Sequence, residues 1–270
     1  MKGVRLLVFV IGLLFSTLLW GQGISEKEKV YVNQTLYPAT ALLYSQNSEG
    51  GMEMRCTATA IDESDKSYTF VTASHCGCQE DTTKNIVTPE KTFFFISPDI
   101  AGNKIYLRAQ PVGCGFRHRG DDFFLLSTDK TVKFPLIPLG HDPEMLNEIV
   151  NVGGPLGLGK QVFLGSISQP SVDRPIIDGD INWTNAVLLQ EFGVNGGSSG
   201  SSVICLKQHA ICAFVVGSVA ETTMIAMPVS RLIKFREELA AGKYKWYVAS
   251  PDVPAKITID ADKGTPPKEK

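Results

Sequence analysis

Short runs of apolar and β-branched residues, separated by turn-forming residues, dominate the sequence between residues 38 and 227. Six runs precede the segment HDPEMLN, at 38–44, 56–61, 67–73, 92–97, 104–112 and 122–127. Six more follow it, at 148–152, 161–169, 186–192, 202–206, 211–219 and 223–227. Runs of this length are typical of β-strands, and almost no helical periodicity precedes residue 228. We therefore predict an all-β chain in which each group of six strands supplies one barrel.

The end of the chain departs from this pattern. The stretch PVSRLIKFREELAAG, residues 228–242, has the spacing of an amphipathic helix that ends at Gly242. The stretch 246–270 is rich in proline and charge, which predicts a flexible tail. We expect an N-terminal barrel over 22–140, and a C-terminal barrel with its helix over 141–245.

Residues 1–21 have the pattern of a signal peptide. Lys2 and Arg5 precede an apolar run from Leu6 to Trp20, which is shorter than the roughly 20 residues of a comfortable membrane span. Cleavage is expected before Gln22, and an uncleaved anchor is the alternative. Cleavage would give a secreted or periplasmic protein without stable membrane association.

A glycine- and serine-rich segment, NGGSSGSSV at residues 195–203, lies between two candidate core strands, AVLLQEF and VICL. A flexible linker would more often be bounded by polar or charged residues, so we interpret the segment as a loop inside a domain. A G-x-S-x-G elbow centred on Ser198 would require an acid and then a histidine downstream. Only His209 follows, and no Asp or Glu precedes it. The remaining register, G-S-S-G-S from residue 197, presents Ser199.

Together with two upstream segments, this loop resembles the chymotrypsin-like serine proteases. YTFVTASHCGC places His75 at the end of an apolar strand, and RGDDFFLLS places Asp122 before four apolar residues. The order His, Asp, Ser is that of the family, and the resemblance covers about residues 38 to 242. It implies two packed antiparallel Greek-key β-barrels with a C-terminal α-helix, and a catalytic triad of His75, Asp122 and Ser199. Asp121 is the alternative acid, but only Asp122 directly precedes the apolar strand.

The residue types suit acyl transfer. A serine hydroxyl is a poor nucleophile at neutral pH, so a neutral imidazole, here His75, must accept its proton as it attacks. A buried carboxylate, here Asp122, fixes the tautomer and stabilises the imidazolium. By resemblance, the amides of Gly197 and Ser199 form the oxyanion hole. The mechanism passes through an acyl-enzyme and requires no metal or cofactor.

One departure from the family narrows the expected mode of activation. Animal digestive members carry an Asp just before the nucleophile, which pairs with the N-terminus of the activated chain, whereas Ser198 stands here. The sequence is therefore closer to bacterial members that need no N-terminal activation. A catalytically silent relative used for binding is the non-enzyme alternative, although its usual signature, a lost triad residue, is not seen.

The resemblance also indicates the pocket for the residue before the scissile bond. No acid stands at its floor to pair with Arg or Lys, and no histidine stands where glutamate-specific bacterial members place one. We expect a preference for small or medium apolar residues. The expected pocket residues are Gly193, Val194, Ser218, Val219 and Ala220.

The chain has six cysteines. Cys56 and Cys76 resemble the family's disulfide beside the catalytic histidine. Cys205 and Cys212 flank a hairpin turn and are expected to pair, which leaves Cys78 with Cys114. A zinc site formed by His75, Cys76, Cys78 and Cys114 is the rival interpretation, but the paired C-x₂-C spacing is missing.

The near-neutral net charge gives no reason to expect nucleic acid as a partner. The net charge of the 270-residue chain is −2, so nothing favours binding to nucleic acid. The sequence as a whole predicts a monomeric, secreted serine endopeptidase that acts on protein or peptide substrates.

Overall fold

The computed structural model describes residues 24–98, 105–172, 176–178, 181–183, 185–191, 195–220, 222–244 and 246. The expected signal peptide lies outside the described residues, as do Gly193 and Val194 and all of the expected tail except Trp246. Among the described residues, β-strand is the predominant secondary structure, as predicted.

The first barrel is closed by six antiparallel strands in the order β1-β2-β3-β8-β7-β6. Between β3 and β6, the chain forms a separate two-stranded sheet, β4-β5. The strands of this half are β1 (Thr40–Gln46), β2 (Met52–Glu63), β3 (Ser67–Thr72), β4 (Cys78–Asp81), β5 (Ile86–Pro89), β6 (Phe94–Ser97), β7 (Leu107–Cys114) and β8 (Phe124–Asp129).

The second barrel is also closed by six antiparallel strands, in the order β10-β13-β16-β15-β14-β9. Between β10 and β13, the chain forms a separate two-stranded sheet, β11-β12. The strands are β9 (Glu148–Gly153), β10 (Gln161–Gln169), β11 (Ile176–Asp178), β12 (Ile181–Trp183), β13 (Val187–Glu191), β14 (Ser202–Cys205), β15 (Ala210–Ala220) and β16 (Thr223–Pro228). The all-β fold with two six-stranded barrels is therefore confirmed.

The chain crosses between the barrels just before residue 141. The amide of Ile137 donates to Ala60 O in β2, at 3.2 Å, and the amide of Gly140 donates to Ile211 O in β15, at 2.8 Å. Because backbone hydrogen bonds tie the crossing segment to both barrels, it helps to fix their packing.

A helical segment before β1 was not predicted. It consists of α1 (Glu26–Tyr31), a π-helical turn (Val32–Leu36) and α2 (Tyr37–Ala39). Ser25 and Glu28 form a capping box, and the buried side chains of Val32 and Leu36 join the core. The run expected at 38–44 therefore begins as a strand only at Thr40.

The C-terminal helix α3 (Val229–Ala240) forms as predicted. It packs behind the start of β8, where the ring of Phe123 lies 6.0 Å from Phe235 of α3 and 5.8 Å from Phe214 of β15. These rings belong to a core cluster to which both barrels contribute. Asp122 directly precedes Phe123, so this close packing helps to fix the position of Asp122.

Three disulfides join Cys56 to Cys76, Cys78 to Cys114 and Cys205 to Cys212. These are the expected pairs, and they leave no cysteine free among the described residues. Among the helices of the described segments, none combines the length and the apolar character needed to span a membrane.

Candidate active site

His75 and Asp122 meet where β3 ends and β8 begins. A 3₁₀ turn, Ser74–Cys76, directly after β3 carries His75, and Asp122 stands two residues before β8. His75 Nδ1 lies 2.8 Å from Asp122 Oδ2, and the His75 backbone amide donates to Oδ1 at 3.0 Å. Ser74 Oγ donates to the same Oδ1 at 2.7 Å. The carboxylate is fully buried and accepts three hydrogen bonds.

These contacts govern the ionisation of Asp122. Burial alone would raise the pKa of this carboxyl. The opposing charge of His75 and the hydrogen bonds from His75 and Ser74 outweigh burial, so the pKa of Asp122 lies below its ordinary value of 3.8. Asp122 is therefore ionised at neutral pH, as a carboxylate that stabilises an imidazolium must be.

Asp121 has a different environment. Its Oδ1 accepts from Arg231 of α3, at 2.9 Å from the terminal guanidinium nitrogen, and its Oδ2 accepts from Tyr244 Oη at 3.0 Å. Tyr244 Oη also accepts from the amide of Phe116 at 2.8 Å. Asp121 thus anchors the C-terminal helix, and Asp122 alone of the two acids contacts His75.

The glycines of the loop at 195–203 bring Ser199 against the first barrel. Gly197 and Gly200 have φ values of +96° and +81°, which side chains rarely adopt. A Cβ at position 200 would clash with Thr72 Oγ1 and lie 2.5 Å from Thr57 O. The loop therefore approaches the end of β3 so closely that only glycine fits at position 200. The amide of Thr57 donates to Ser199 O at 3.0 Å.

The amides of Gly197 and Ser199 donate to no acceptor among the described residues. The backbone amide of Ser198, between them, donates to Asn195 O at 3.0 Å, so the loop turns sharply at this point. Two donors without an internal partner beside the candidate nucleophile are what an oxyanion hole requires.

The side chain of Ser199 is half-buried and makes no hydrogen bond to any described residue, His75 included. A serine and its general base often come within hydrogen-bonding distance only when substrate is bound. Ser198 differs, because it is completely buried and its Oγ has no hydrogen-bond partner among the described residues. Of the two serines, Ser199 is the one that substrate could reach.

No family model matches the sequence, and no curated protein matches it. Solved structures do match. A serine endoprotease from Yersinia pestis superposes with a TM-score of 0.57 at 19% identity, covering 82% of this chain and 70% of that chain. The Rv3671c protease of M. tuberculosis, in its active form, gives 0.58 at 15% identity, covering 77% and 83%. An inactive serine-to-alanine variant of Rv3671c gives 0.56 at 16% identity, covering 78% and 90%.

The chain has the chymotrypsin-like serine protease fold. In this fold, the expected pocket is described only in part. Ser218 and Val219 are exposed on β15, whereas Gly193, Val194 and the side chain of Ala220 lie outside the described residues. The pairing of β15 with β16 shifts register twice, between Val215 and Gly217 and between Ser218 and Ala220. Such bulges redirect side chains and are common beside active sites.

Trp183 adds a residue that the sequence analysis missed. It lies on β12, is buried, and a Cβ at Gly217 would be 3.2 Å from its ring. The Trp183 ring therefore packs against β15 at Gly217, immediately before Ser218. A single tryptophan in a short run gave no sequence pattern that predicts this contact.

The zinc alternative does not fit the site. One ring nitrogen of His75 and the sulfurs of Cys56 and Cys76 lie within 4.8 Å of one another. Both sulfurs, however, are joined in a disulfide, and the same holds for Cys78 and Cys114. Zinc binds cysteine as the thiolate, which a disulfide cannot supply.

Proposed function

We propose that this chain is a serine endopeptidase that hydrolyses peptide bonds through an acyl-enzyme, with His75, Asp122 and Ser199 as its catalytic triad. The observation that carries the proposal is the hydrogen bond between the partly exposed His75 and the buried Asp122, beside a sharply turned glycine loop. The amides of Gly197 and Ser199 in that loop have no internal acceptor among the described residues.

The reaction follows from these positions. Ser199 Oγ attacks the scissile carbonyl carbon while His75 Nε2 accepts its proton. The carbonyl oxygen becomes an oxyanion, and the amides of Gly197 and Ser199 stabilise it, each by roughly 3 to 4 kcal/mol. His75 then gives the proton to the amine of the leaving segment. The C–N bond breaks, the amine departs, and the acyl-enzyme remains. Water, activated by the same imidazole, attacks the ester and releases Ser199.

Two further properties belong to this proposal. Export to an oxidising compartment, by secretion or into a periplasm, is supported by the three disulfides, which persist outside a reducing cytosol. Activity without activation by a new N-terminus is supported by Ser198, since a serine cannot form the ion pair that such activation needs.

We also propose a preference for small or medium apolar residues before the scissile bond. Ser218 and Val219 on β15 are uncharged and exposed, and neither Gly193 nor Val194 adds a charge. A pocket of this composition distinguishes similar side chains by only about 1 to 3 kcal/mol, so the preference should be graded.

The test combines chemical labelling with a cleavage profile. The mature protein is treated with an organophosphonate and mapped by mass spectrometry, and a peptide library is then digested in parallel by wild type and by Ser199→Ala. We expect modification of Ser199, retained in Ser198→Ala, and cleavage after Ala, Val or Leu that Ser199→Ala abolishes. Folded protein that is neither labelled nor active would instead favour the silent binding relative. Faster cleavage after Arg, Lys or Glu would contradict the proposed apolar preference but not the proposed triad.

A further inference from the structure

Two leucines are exposed beside the proposed nucleophile. Leu156 and Leu158, in the loop between β9 and β10, are 67% and 73% exposed. Leu156 also has a φ of +54°, in the left-handed region that side chains other than glycine seldom adopt. Backbone outliers of this kind cluster at functional sites, and exposed leucines outside an interface gain no burial energy.

Hydrogen bonding places this loop directly against the loop that carries Ser199. The amide of Leu156 donates to Gly196 O at 2.7 Å. A Cβ at Gly197 would lie 2.5 Å from Gly154 O and 3.3 Å from the sulfur and terminal methyl of Met54 on β2. Met54 and the start of the leucine loop therefore border Gly197, one of the two proposed oxyanion donors.

The direction of the substrate follows from the proton transfer. The departing amine takes its proton from His75, so the chain that follows the scissile bond must run past His75. A ring nitrogen of His75 lies within 4.8 Å of the sulfurs of Cys56 and Cys76. Cys56 stands two residues after Met54 on β2. The side of the site that holds Met54 is thus the leaving-group side, whereas the pocket proposed for the preceding residue belongs to β15.

The accessible side chains of Met54, Leu156 and Leu158 on this side are apolar. Met54 packs against a cluster that contains Leu42, Tyr44 and Phe95. The neighbouring cation, Arg55, is paired with Glu90 at 3.1 Å and 3.2 Å to the two carboxylate oxygens. Its charge is therefore balanced locally, so this surface favours an apolar partner over an acidic one.

We propose that Met54, Leu156 and Leu158 form a subsite for an apolar side chain within the first two residues after the scissile bond. This inference rests on the proposed endopeptidase function and narrows its substrates to peptides with a large apolar residue, such as leucine, in the leaving segment. Contact with such a side chain buries the leucines that are exposed in the free protein.

The test uses quenched fluorescent peptides that are identical up to the scissile bond and carry either Leu or Ser at the two positions after it. We expect wild type to have a Leu-to-Ser ratio of kcat/KM of about tenfold or more. Leu156→Asn, which tolerates the left-handed backbone, and Leu158→Ser should each lower this ratio several-fold. The ratio is internal to each variant, so it does not depend on how much protein is active.

Leu146→Asn is the matched control, because Leu146 also has a positive φ, +63°, and is 76% exposed, but lies in the segment before β9. It should keep the wild-type ratio. A small ester of a preferred residue, without a peptide leaving segment, tests the triad separately. If wild type hydrolyses the ester but shows a Leu-to-Ser ratio near one, or if Leu156→Asn and Leu158→Ser keep the wild-type ratio, the subsite is refuted and the protease function stands. Failure on the ester would refute both.

Discussion

Three hydrogen bonds hold the Asp122 carboxylate, and one of them comes from Ser74, a residue that the sequence analysis did not identify. The order of His75, Asp122 and Ser199 could be read from the sequence because each stands in a distinctive segment. The role of Ser74 could not, since a serine before a histidine is common and its partner is 48 residues away. Trp183 was missed for the same reason, because its position depends on tertiary packing.

Ser74→Ala removes a buried donor to a charged acceptor, a type of bond that contributes about 1.5 to 3 kcal/mol. With less stabilisation of the ionised form, the pKa of Asp122 should rise, and kcat/KM should fall roughly 10- to 100-fold. The pH profile should change as well, with activity lost at a higher pH on the acid side than in wild type. Profiles of kcat/KM for wild type, Ser74→Ala and the exposed control Ser64→Ala measure both effects. Equal profiles for all three would mean that Ser74 does not position Asp122.

At the scale of elements, the twelve barrel strands were predictable because each has β-branched or alternating apolar residues bounded by turn residues. The hairpins β4-β5 and β11-β12 were not, since β4 (CQED) is a polar run and the strands of β11-β12 have only three residues each. The segment α1-α2 was missed because its stability comes from tertiary packing. Its one local sign was the spacing of Ser25 and Glu28, which is typical of a capping box.

The N-terminal helical segment leads into the first barrel but is attached to the second. Tyr31 stacks on His209 at 4.6 Å and donates to His209 O at 3.1 Å. Lys160 Nζ donates to the carbonyls of Tyr37 and Thr40, both at 2.8 Å. The segment should therefore act as a brace between the barrels.

Tyr31→Phe tests this brace. Loss of the hydrogen bond should lower the free energy of unfolding by about 0.5 to 1.5 kcal/mol at pH 7. Burial raises the pKa of Tyr31 from 10.0 to about 12, so the unfolded chain ionises first and wild type loses stability as pH rises above 10. Phe lacks this ionisation, and the difference between the two proteins should shrink toward pH 12. Urea unfolding at pH 7 and pH 11 measures it; a constant difference would show that Tyr31 is not buried as described.

At the scale of the whole molecule, the three disulfides close loops of very different size, with sequence separations of 20, 36 and 7 residues. Longer loops lose more entropy when closed in the unfolded chain, so paired Cys→Ala variants should differ in stability. We expect the Cys205–Cys212 pair to matter least and each of the others to cost about 2 to 5 kcal/mol. Thermal unfolding of the three double variants gives the order; the largest loss from Cys205–Cys212 would contradict it.

Activity should follow a different order, because Cys56–Cys76 ties β2 to the turn that carries His75. The variant without this bond should lose more kcat/KM than the variant without Cys78–Cys114 when both are assayed below their unfolding temperatures. Equal losses would mean that the bond stabilises the fold without positioning His75.

The central claim is that Ser199 and His75 act as one catalytic unit, and a double-mutant cycle tests it most directly. The measurement is kcat/KM on one peptide substrate for wild type, Ser199→Ala, His75→Ala and the double variant, with Ser198→Ala as control and folding checked for each. Residues that act as a unit have strongly non-additive effects. We expect each single triad variant to lose nearly all activity, the double variant to lose little more, and Ser198→Ala to be mild. Additive losses, or a folded Ser198→Ala as inactive as Ser199→Ala, would contradict the proposed triad.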